Sequence, residues 1–264
     1  MRFTLLASGS TGNATLIETV RTAVLIDAGL PARTLLYRMT ALGFNPARLA
    51  ALFITHEHTD HVSGLSVLSR HLSLPVFIAP ATRQQLRLKA KDIAAIPWAD
   101  PLIPEQPVVI GDLTLTPIAV PHDAAEPVIF TATAAGTKLA IVTDLGYLPP
   151  HLTYHLRHCQ ALVLEANYDR DLLRTSPYPW ELKQRISSRL GHLSNDDMAR
   201  FLREEFDGTA DHIILAHLSQ HNNHPDLARL AALTALAEHY PARSSWESVV
   251  TVAPPTGFST WYTL

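Results

Sequence analysis

Seven consecutive residues carry the strongest chemical signal in this chain: Thr55-His56-Glu57-His58-Thr59-Asp60-His61. Three imidazoles and an aspartate fall together directly after the apolar run Leu52-Phe53-Ile54. Neutral imidazole nitrogen and carboxylate oxygen are the donors that divalent transition metals take. In an extended segment His56 and His58, two residues apart, face the same side, while Asp60 and His61 address a second point from the turn that follows. One tetrahedral site needs three or four ligands, so the cluster begins two sites. Further donors must then arrive from later strand ends. His122 follows Leu113–Val120, Asp144 follows Leu139–Thr143, and His217 follows His212–Ala216. Each repeats one pattern of apolar strand, donor and turn, which is how loops on a rigid sheet carry function.

The elements that must position these residues are legible from turn signals and periodicity. Strands are predicted at Arg2–Ala7, Ala14–Val20, Thr22–Asp27, Ala50–Thr55 and His71–Pro80. A second set follows at Val108–Ile110, Leu113–Val120, Val128–Thr133, Lys138–Thr143, Ala161–Ala166, Asp211–Ala216 and Ser259–Leu264. Helices are predicted at Leu30–Leu42, with Pro31 in its first turn and Gly43 as its stop, and at Ala81–Ala90, His151–His158, Glu181–Leu190, Ser194–Phe206 and Pro225–His239. Ser194 followed by Asn195, Asp196 and Asp197 offers an N-cap and an acidic first turn. The stretch holding Pro97, Pro101, Pro104 and Pro107 reads as a connector. Strands first clustered and then interleaved with helices predict a mixed α/β (α+β) fold, with residues 1–264 forming one domain of sheets covered by helices.

Composition narrows the class. The 264 residues are 47% hydrophobic and 17% charged, with a formal net charge of −3, which suits a folded chain and excludes bulk-charge coating of nucleic acid. No apolar run approaches the roughly 20 residues of a membrane span. The six-residue apolar-leaning start is too short for a secretory signal. Cys159 is the only cysteine, so no intrachain disulfide forms and a reducing, cytoplasmic location is the expectation. Arginine outnumbers lysine 17 to 4, and there are 14 histidines.

The motif His-x-His-x-Asp-His with the later His122, Asp144 and His217 resembles the metallo-beta-lactamase superfamily over essentially the whole chain. Ser8-Gly9-Ser10-Thr11-Gly12-Asn13, Ile26-Asp27-Ala28-Gly29, Leu164-Glu165-Ala166-Asn167, Gly191-His192-Leu193-Ser194-Asn195 and His217-Leu218-Ser219 resemble signatures of its YycJ/WalJ subfamily. The resemblance implies a four-layer αββα sandwich carrying a dinuclear centre. It implies that His56, His58 and His122 bind one metal, that Asp60, His61 and His217 bind a second, and that Asp144 bridges them. Zinc, manganese or iron suits such a donor set. It further implies a phosphodiesterase of the ribonuclease Z-like branch, acting as a 5′-to-3′ exonuclease on DNA with a metal-bridging hydroxide as nucleophile. Hydrolysis of a thioester, lactone or small cyclic phosphodiester is the alternative on the same scaffold.

Other residues join this reading. By resemblance, His192 assists phosphate binding or leaving-group protonation and Glu165 orients it, making both catalytic together with Asp60. Position and resemblance suggest that Asp27 braces a ligand histidine, whereas Glu57 faces the other way and is given no role. Ser8, Gly9, Ser10 and Asn13 could present a nest of backbone N–H groups to a phosphate. Ser194 and Asn195 open a helix beside His192, where an anion is favoured. Arg170, Arg174, Lys183, Arg185 and Arg189, interleaved with Tyr168, Tyr178 and Trp180, have the composition of a nucleic-acid groove, and Arg170, Arg174 and Lys183 are taken as its contacts.

Overall fold

A computed structural model describes residues 1–243 and 245–264. In chain order the elements begin with strands β1 (Arg2–Ala7), β2 (Ala14–Glu18) and β3 (Ala23–Ile26), helix α1 (Ala32–Ala41) and strand β4 (Leu49–Phe53). Then come α2 (Thr59–Val62), α3 (Leu65–His71), β5 (Val76–Phe77), α4 (Pro80–Gln84), α5 (Ala90–Ala94), β6 (Val108–Ile110), β7 (Leu113–Ala119) and β8 (Val128–Ala134). The rest are β9 (Thr137–Val142), α6 (Pro150–His155), β10 (Ala161–Glu165), α7 (Arg170–Thr175), α8 (Trp180–Ile186), α9 (Asn195–Glu204), β11 (His212–Ala216), α10 (Pro225–His239), β12 (Val250–Val252) and β13 (Tyr262–Thr263). Two sheets with flanking helices make the fold mixed α/β, the class read from the sequence. No helix among the described residues is long and apolar enough to cross a membrane.

The chain forms two compact units. The first holds Met1–Ala119, Ala124–Gly136 and Thr256–Leu264; the second holds Val120–Asp123 and Thr137–Pro255. In the first unit the strand order β13-β1-β2-β3-β4-β5 begins antiparallel and turns parallel at β3. Parallel strands buried on both faces require continuous apolar runs. Ala23–Ile26 is buried throughout, as is Leu49–Phe53 apart from Ala50. Their core receives Leu35 and Met39 of α1 and Leu65 and Leu68 of α3. Helix α1 stops where expected: Gly43 adopts φ 73° and its N–H donates to the Thr40 carbonyl at 2.9 Å. The same unit holds the antiparallel β6, β7 and β8.

The second unit runs β10 parallel to both β9 and β11, and β11 parallel to β12. Helices α9 and α10 bury Met198, Phe201 and Leu202 and Ala228, Ala232, Ala235 and Leu236, respectively. Ser194 caps α9 as its position predicts, accepting the Asp197 N–H at 3.0 Å.

Several boundaries differ from expectation. The run 71–80 holds only the two-residue β5, because Leu65–His71 is a helix with Leu65 and Leu68 on its buried face. The predicted helix 81–90 is two short helices, α4 and α5, separated by 85–89. Helix α7 and strand β12 are among the elements not expected from the sequence.

One glycine sits where no side chain fits. A Cβ on Gly29 would lie 1.7 Å from the Asp60 carbonyl oxygen, in the loop beside the histidine cluster. Gly29→Ala must therefore displace that loop. A loss of about 3 kcal/mol, seen as a Tm lower by roughly 6–12 °C, is expected in thermal unfolding. An unchanged Tm would show the contact to be soft.

Candidate metal centre

The first unit positions its donors through adjacent parallel strand ends. The register Ile26↔Phe53 sets Asp27 beside the residues that follow β4. Asp27 takes a left-handed backbone, φ 62°, which turns its carboxylate back onto the cluster. One oxygen accepts the Thr55 backbone N–H at 2.8 Å; the other accepts the Thr55 hydroxyl at 2.9 Å and His61 Nδ1 at 2.7 Å. Thr55 Oγ1 also lies 3.0 Å from His56 Nδ1. With Nδ1 engaged in both rings, Nε2 is the nitrogen through which His56 and His61 would fit a metal. The three rings cluster, with His56 4.6 Å from His58 and 4.0 Å from His61 between centroids. Burial raises the Asp27 pKa, and the charge and hydrogen bond of His61, with the Thr55 bonds, counter that only in part.

The predicted loop 8–13 serves this cluster from its side chains. Asn13 Oδ1 accepts the Gly9 N–H at 2.9 Å, which fixes the amide so that Nδ2 points at Asp60 Oδ2 (3.2 Å) and His61 Nε2 (3.0 Å). The N–H groups of Gly9, Gly12 and Asn13 are all used within the unit, by Asn13 Oδ1 and the carbonyls of Gly9 and Asp60. Three of the donors that a phosphate nest would need are thereby committed within the unit. Glu57, given no role from the sequence, accepts the Ala125 N–H at 2.9 Å.

The second unit repeats the device. The registers Leu164↔Val142 and Glu165↔Ala216 bring Asp144, Glu165 and His217 to neighbouring C-terminal ends of parallel strands. Asp144 (φ 63°) and His217 (φ 56°) share the left-handed backbone of Asp27. Such conformations cost about 1–3 kcal/mol each and persist where the surroundings enforce them. The Glu165 side chain is fully buried; Oε1 takes His192 Nδ1 at 2.7 Å and His217 Nδ1 at 3.1 Å, and Oε2 accepts the Leu145 N–H at 3.0 Å. Asn167 Nδ2 holds the His217 carbonyl at 2.8 Å and lies 3.1 Å from its Nδ1. His122 Nδ1 is 3.0 Å from the Gly191 carbonyl. Asp144 Oδ1 lies 3.4 Å from His217 Nε2, 3.8 Å from His192 Nδ1 and 4.0 Å from His122 Nε2. Donor atoms of Asp144, Glu165, His192 and His217 all fall within 4.8 Å of one another.

The charge states follow from this packing. Burial lowers the His122 pKa, so its imidazole is neutral, the form that ligates. Burial also disfavours charge on His192 and Glu165, but their mutual attraction and hydrogen bond outweigh it. The His192 pKa is raised and that of Glu165 lowered, each through its attraction to the other.

The remaining sequence candidates have structural partners. Ser194 is buried as the α9 cap, and Asn195 exchanges hydrogen bonds with Asn223 at 2.9 Å. Arg170 pairs with Asp196 and Asp197, Arg174 with Asp171, and Lys183 Nζ donates to the carbonyls of Arg174 and Ser176. Thr55, Asn167 and the Gly191 carbonyl are the participants that sequence reasoning did not select. Thr55 stands beside His56, and Asn167 and Gly191 lie inside the signature motifs, but the hydrogen bonds they contribute are set by the fold.

Imidazoles whose Nδ1 is held by a carboxylate, a carbonyl or a hydroxyl, beside carboxylates at strand ends, are donors that fit one or two divalent ions of zinc-like preference. On a mixed α/β fold with two sheets flanked by helices, they define a metal-dependent hydrolase. A beta-lactamase superfamily domain matches residues 22–218. The chain is 36% identical over 242 residues to exodeoxyribonuclease YycJ of Bacillus anthracis, covering 90% of each protein. It is 32% identical over 239 residues to exodeoxyribonuclease WalJ of Streptococcus pneumoniae serotype 2 strain D39, covering 90% of this chain and 88% of that protein. The crystal structure of Zn(2+)-bound PqqB from Methylobacterium extorquens shares the fold, with a TM-score of 0.73 at 16% identity over 98% of this chain and 99% of the other. This chain belongs to the metallo-beta-lactamase superfamily, in its YycJ/WalJ-like subfamily.

Proposed function

We propose that this chain, acting as one hydrolase domain over residues 1–264, is a 5′-to-3′ exonuclease on DNA that uses two divalent ions. The observation that carries the reading is the buried Glu165 gripping His192 Nδ1 at 2.7 Å beside Asp144 and His217. The reacting group of a β-lactam, thioester or lactone is neutral, whereas a phosphodiester presents both an anion for a protonated histidine to bind and a leaving oxygen for it to protonate. The relatives named as exodeoxyribonucleases support DNA as the substrate. A cytoplasmic location belongs to the same proposal.

His56, His58 and His122 are assigned to one ion, Asp60, His61 and His217 to the other, and Asp144 to both. Zinc, manganese and iron all suit these donors. When bound, the ions supply Lewis acidity toward a phosphoryl oxygen and lower the pKa of water into the neutral range. Asp27 and Glu165 hold His61 and His217 by Nδ1 and so orient Nε2. Asn13 steadies Asp60 through its amide nitrogen. With Nδ1–H committed to Glu165, protonated His192 presents Nε2–H to the phosphate or to the departing oxygen.

The test is digestion of end-labelled single- and double-stranded DNA by protein reconstituted with manganese and, separately, with zinc. Stepwise release of nucleotides from the 5′ end is expected. Loss from the 3′ end would reverse the polarity. Turnover of a thioester or lactone with no cleavage of DNA would overturn the reading altogether.

A further inference from the structure

The five cations between Asp169 and His192 are not equivalent. Arg170 pairs with Asp196 at 3.2 Å and with Asp197 at 3.0 Å, and Arg174 pairs with Asp171 at 3.0 Å. Lys183 is spent on two carbonyls at 2.7 Å, and Arg185 on Asp123. Arg189 differs: its guanidinium lies 4.2 Å above the ring of Tyr147, and among the described residues no carboxylate pairs with it.

Its backbone is fixed beside the catalytic groups. A Cβ on Gly146, two residues after Asp144, would come within 2.3 Å of the Arg189 carbonyl carbon and oxygen, so the two loops touch backbone to backbone. The His192 N–H donates to the Ile186 carbonyl at 2.9 Å, and the Gly191 N–H to the Ser188 carbonyl at 3.0 Å, closing a tight turn around Arg189. The Gly191 carbonyl in turn takes His122 Nδ1 at 3.0 Å. Stacking on Tyr147 uses the face of the guanidinium and leaves its edge donors, the fork that matches phosphate oxygens. Tyr147 is three residues from Asp144, so their Cα atoms are at most about 11 Å apart. A phosphate flanking the reacting one is a single nucleotide away, a distance that an arginine side chain on this loop can cover.

We infer that Arg189, held by Tyr147, binds a phosphate of the nucleic-acid strand next to the one being hydrolysed. This rests on the nuclease reading and adds a strand contact that the sequence had placed on Arg170, Arg174 and Lys183. The contact is electrostatic and does not read the base.

The test uses metal-reconstituted holoenzyme and single-stranded DNA, with KM measured as a function of KCl concentration. Arg189→Gln is expected to raise KM roughly tenfold at low salt, with the loss falling on KM rather than kcat. It should also reduce the slope of log KM against log[KCl] by about 0.7, the value of one phosphate contact on a single strand. Arg189→Lys should keep the slope while raising KM by a smaller factor, since the charge remains and the planar stack does not. Arg203→Gln, on α9 and paired with Glu204 and Glu238, is the control and should leave the slope unchanged. Substrates with a 5′-phosphate and a 5′-hydroxyl separate the two sources of phosphate. A KM rise on both marks an internal diester, and a rise only on the 5′-phosphorylated strand marks the terminal group. An unchanged KM and slope in Arg189→Gln, while wild type digests DNA, overturns the inference alone. A wild type that hydrolyses bis(4-nitrophenyl) phosphate but not DNA overturns the nuclease reading, and this inference with it.

Discussion

Alanine at Asp144 is expected to lower DNA hydrolysis by at least about three orders of magnitude. Asp144 Oδ1 lies 3.4 Å from His217 Nε2 and 4.0 Å from His122 Nε2, so its carboxylate faces both ring nitrogens, whereas Glu165 grips Nδ1 atoms from behind. Removing it takes a negative charge from the donors that would hold the divalent metal. Several kcal/mol of transition-state stabilisation depend on that metal charge, and about 4 kcal/mol corresponds to three orders of magnitude. Metal content, measured by mass spectrometry after desalting, should fall in parallel. Because Asp144 has φ 63°, alanine there also carries a backbone cost of about 1–2 kcal/mol. Asp144→Asn tolerates that conformation better and isolates the charge. Near-wild-type turnover in Asp144→Asn would remove Asp144 from the metal assignment.

The second large effect is at His192. Alanine there should lower kcat by roughly 10²–10⁴-fold, the range of a positioned general acid, while metal content stays at the wild-type level. The two variants therefore differ in a second observable. His192 also sets a pH limb. Burial works against its proton, but the attraction and hydrogen bond of Glu165 prevail, so its pKa is raised above the ordinary histidine value of about 6.5. A raised pKa keeps the active, protonated form present below it and loses that form as pH climbs through it. The kcat profile should thus fall on its alkaline side at a pH above 6.5, and Glu165→Gln should move that limb toward acid. A His192→Ala enzyme within threefold of wild type, or a limb that ignores Glu165→Gln, would reduce the pair to a structural clamp.

How these sites were legible differs from residue to residue. The cluster His56, His58, Asp60 and His61 is readable because its members are consecutive and follow an apolar strand. His122, Asp144 and His217 are readable because each ends a strand, and strand ends on a sheet carry the loops. The ion-pair state of the basic segment 170–189 was not readable. Charge composition there resembles a nucleic-acid surface, yet Asp123, Asp171, Asp196 and Asp197 take up three of its arginines. Which carboxylate meets which cation is decided by helix placement, and two of those acids lie beyond the segment's end on α9.

Sequence alone therefore pointed to the mixed α/β class, to most strand ends and to the candidate metal donors, because strand propensity, burial pattern and donor type are local properties. Only the tertiary structure decided which Nδ1 each carboxylate grips. Asp27 reaches His61 because β3 and β4 are parallel and in register at Ile26 and Phe53. Glu165 holds His192 and His217 together because β10 ends level with β11. Tertiary structure also fixed the left-handed backbones of Asp27, Asp144 and His217, a conformation that aspartate and histidine adopt more readily than most residues but that is uncommon for any of them. Ligand orientation is a long-range property: it depends on strand register, and register is set by partners that the local sequence does not contain.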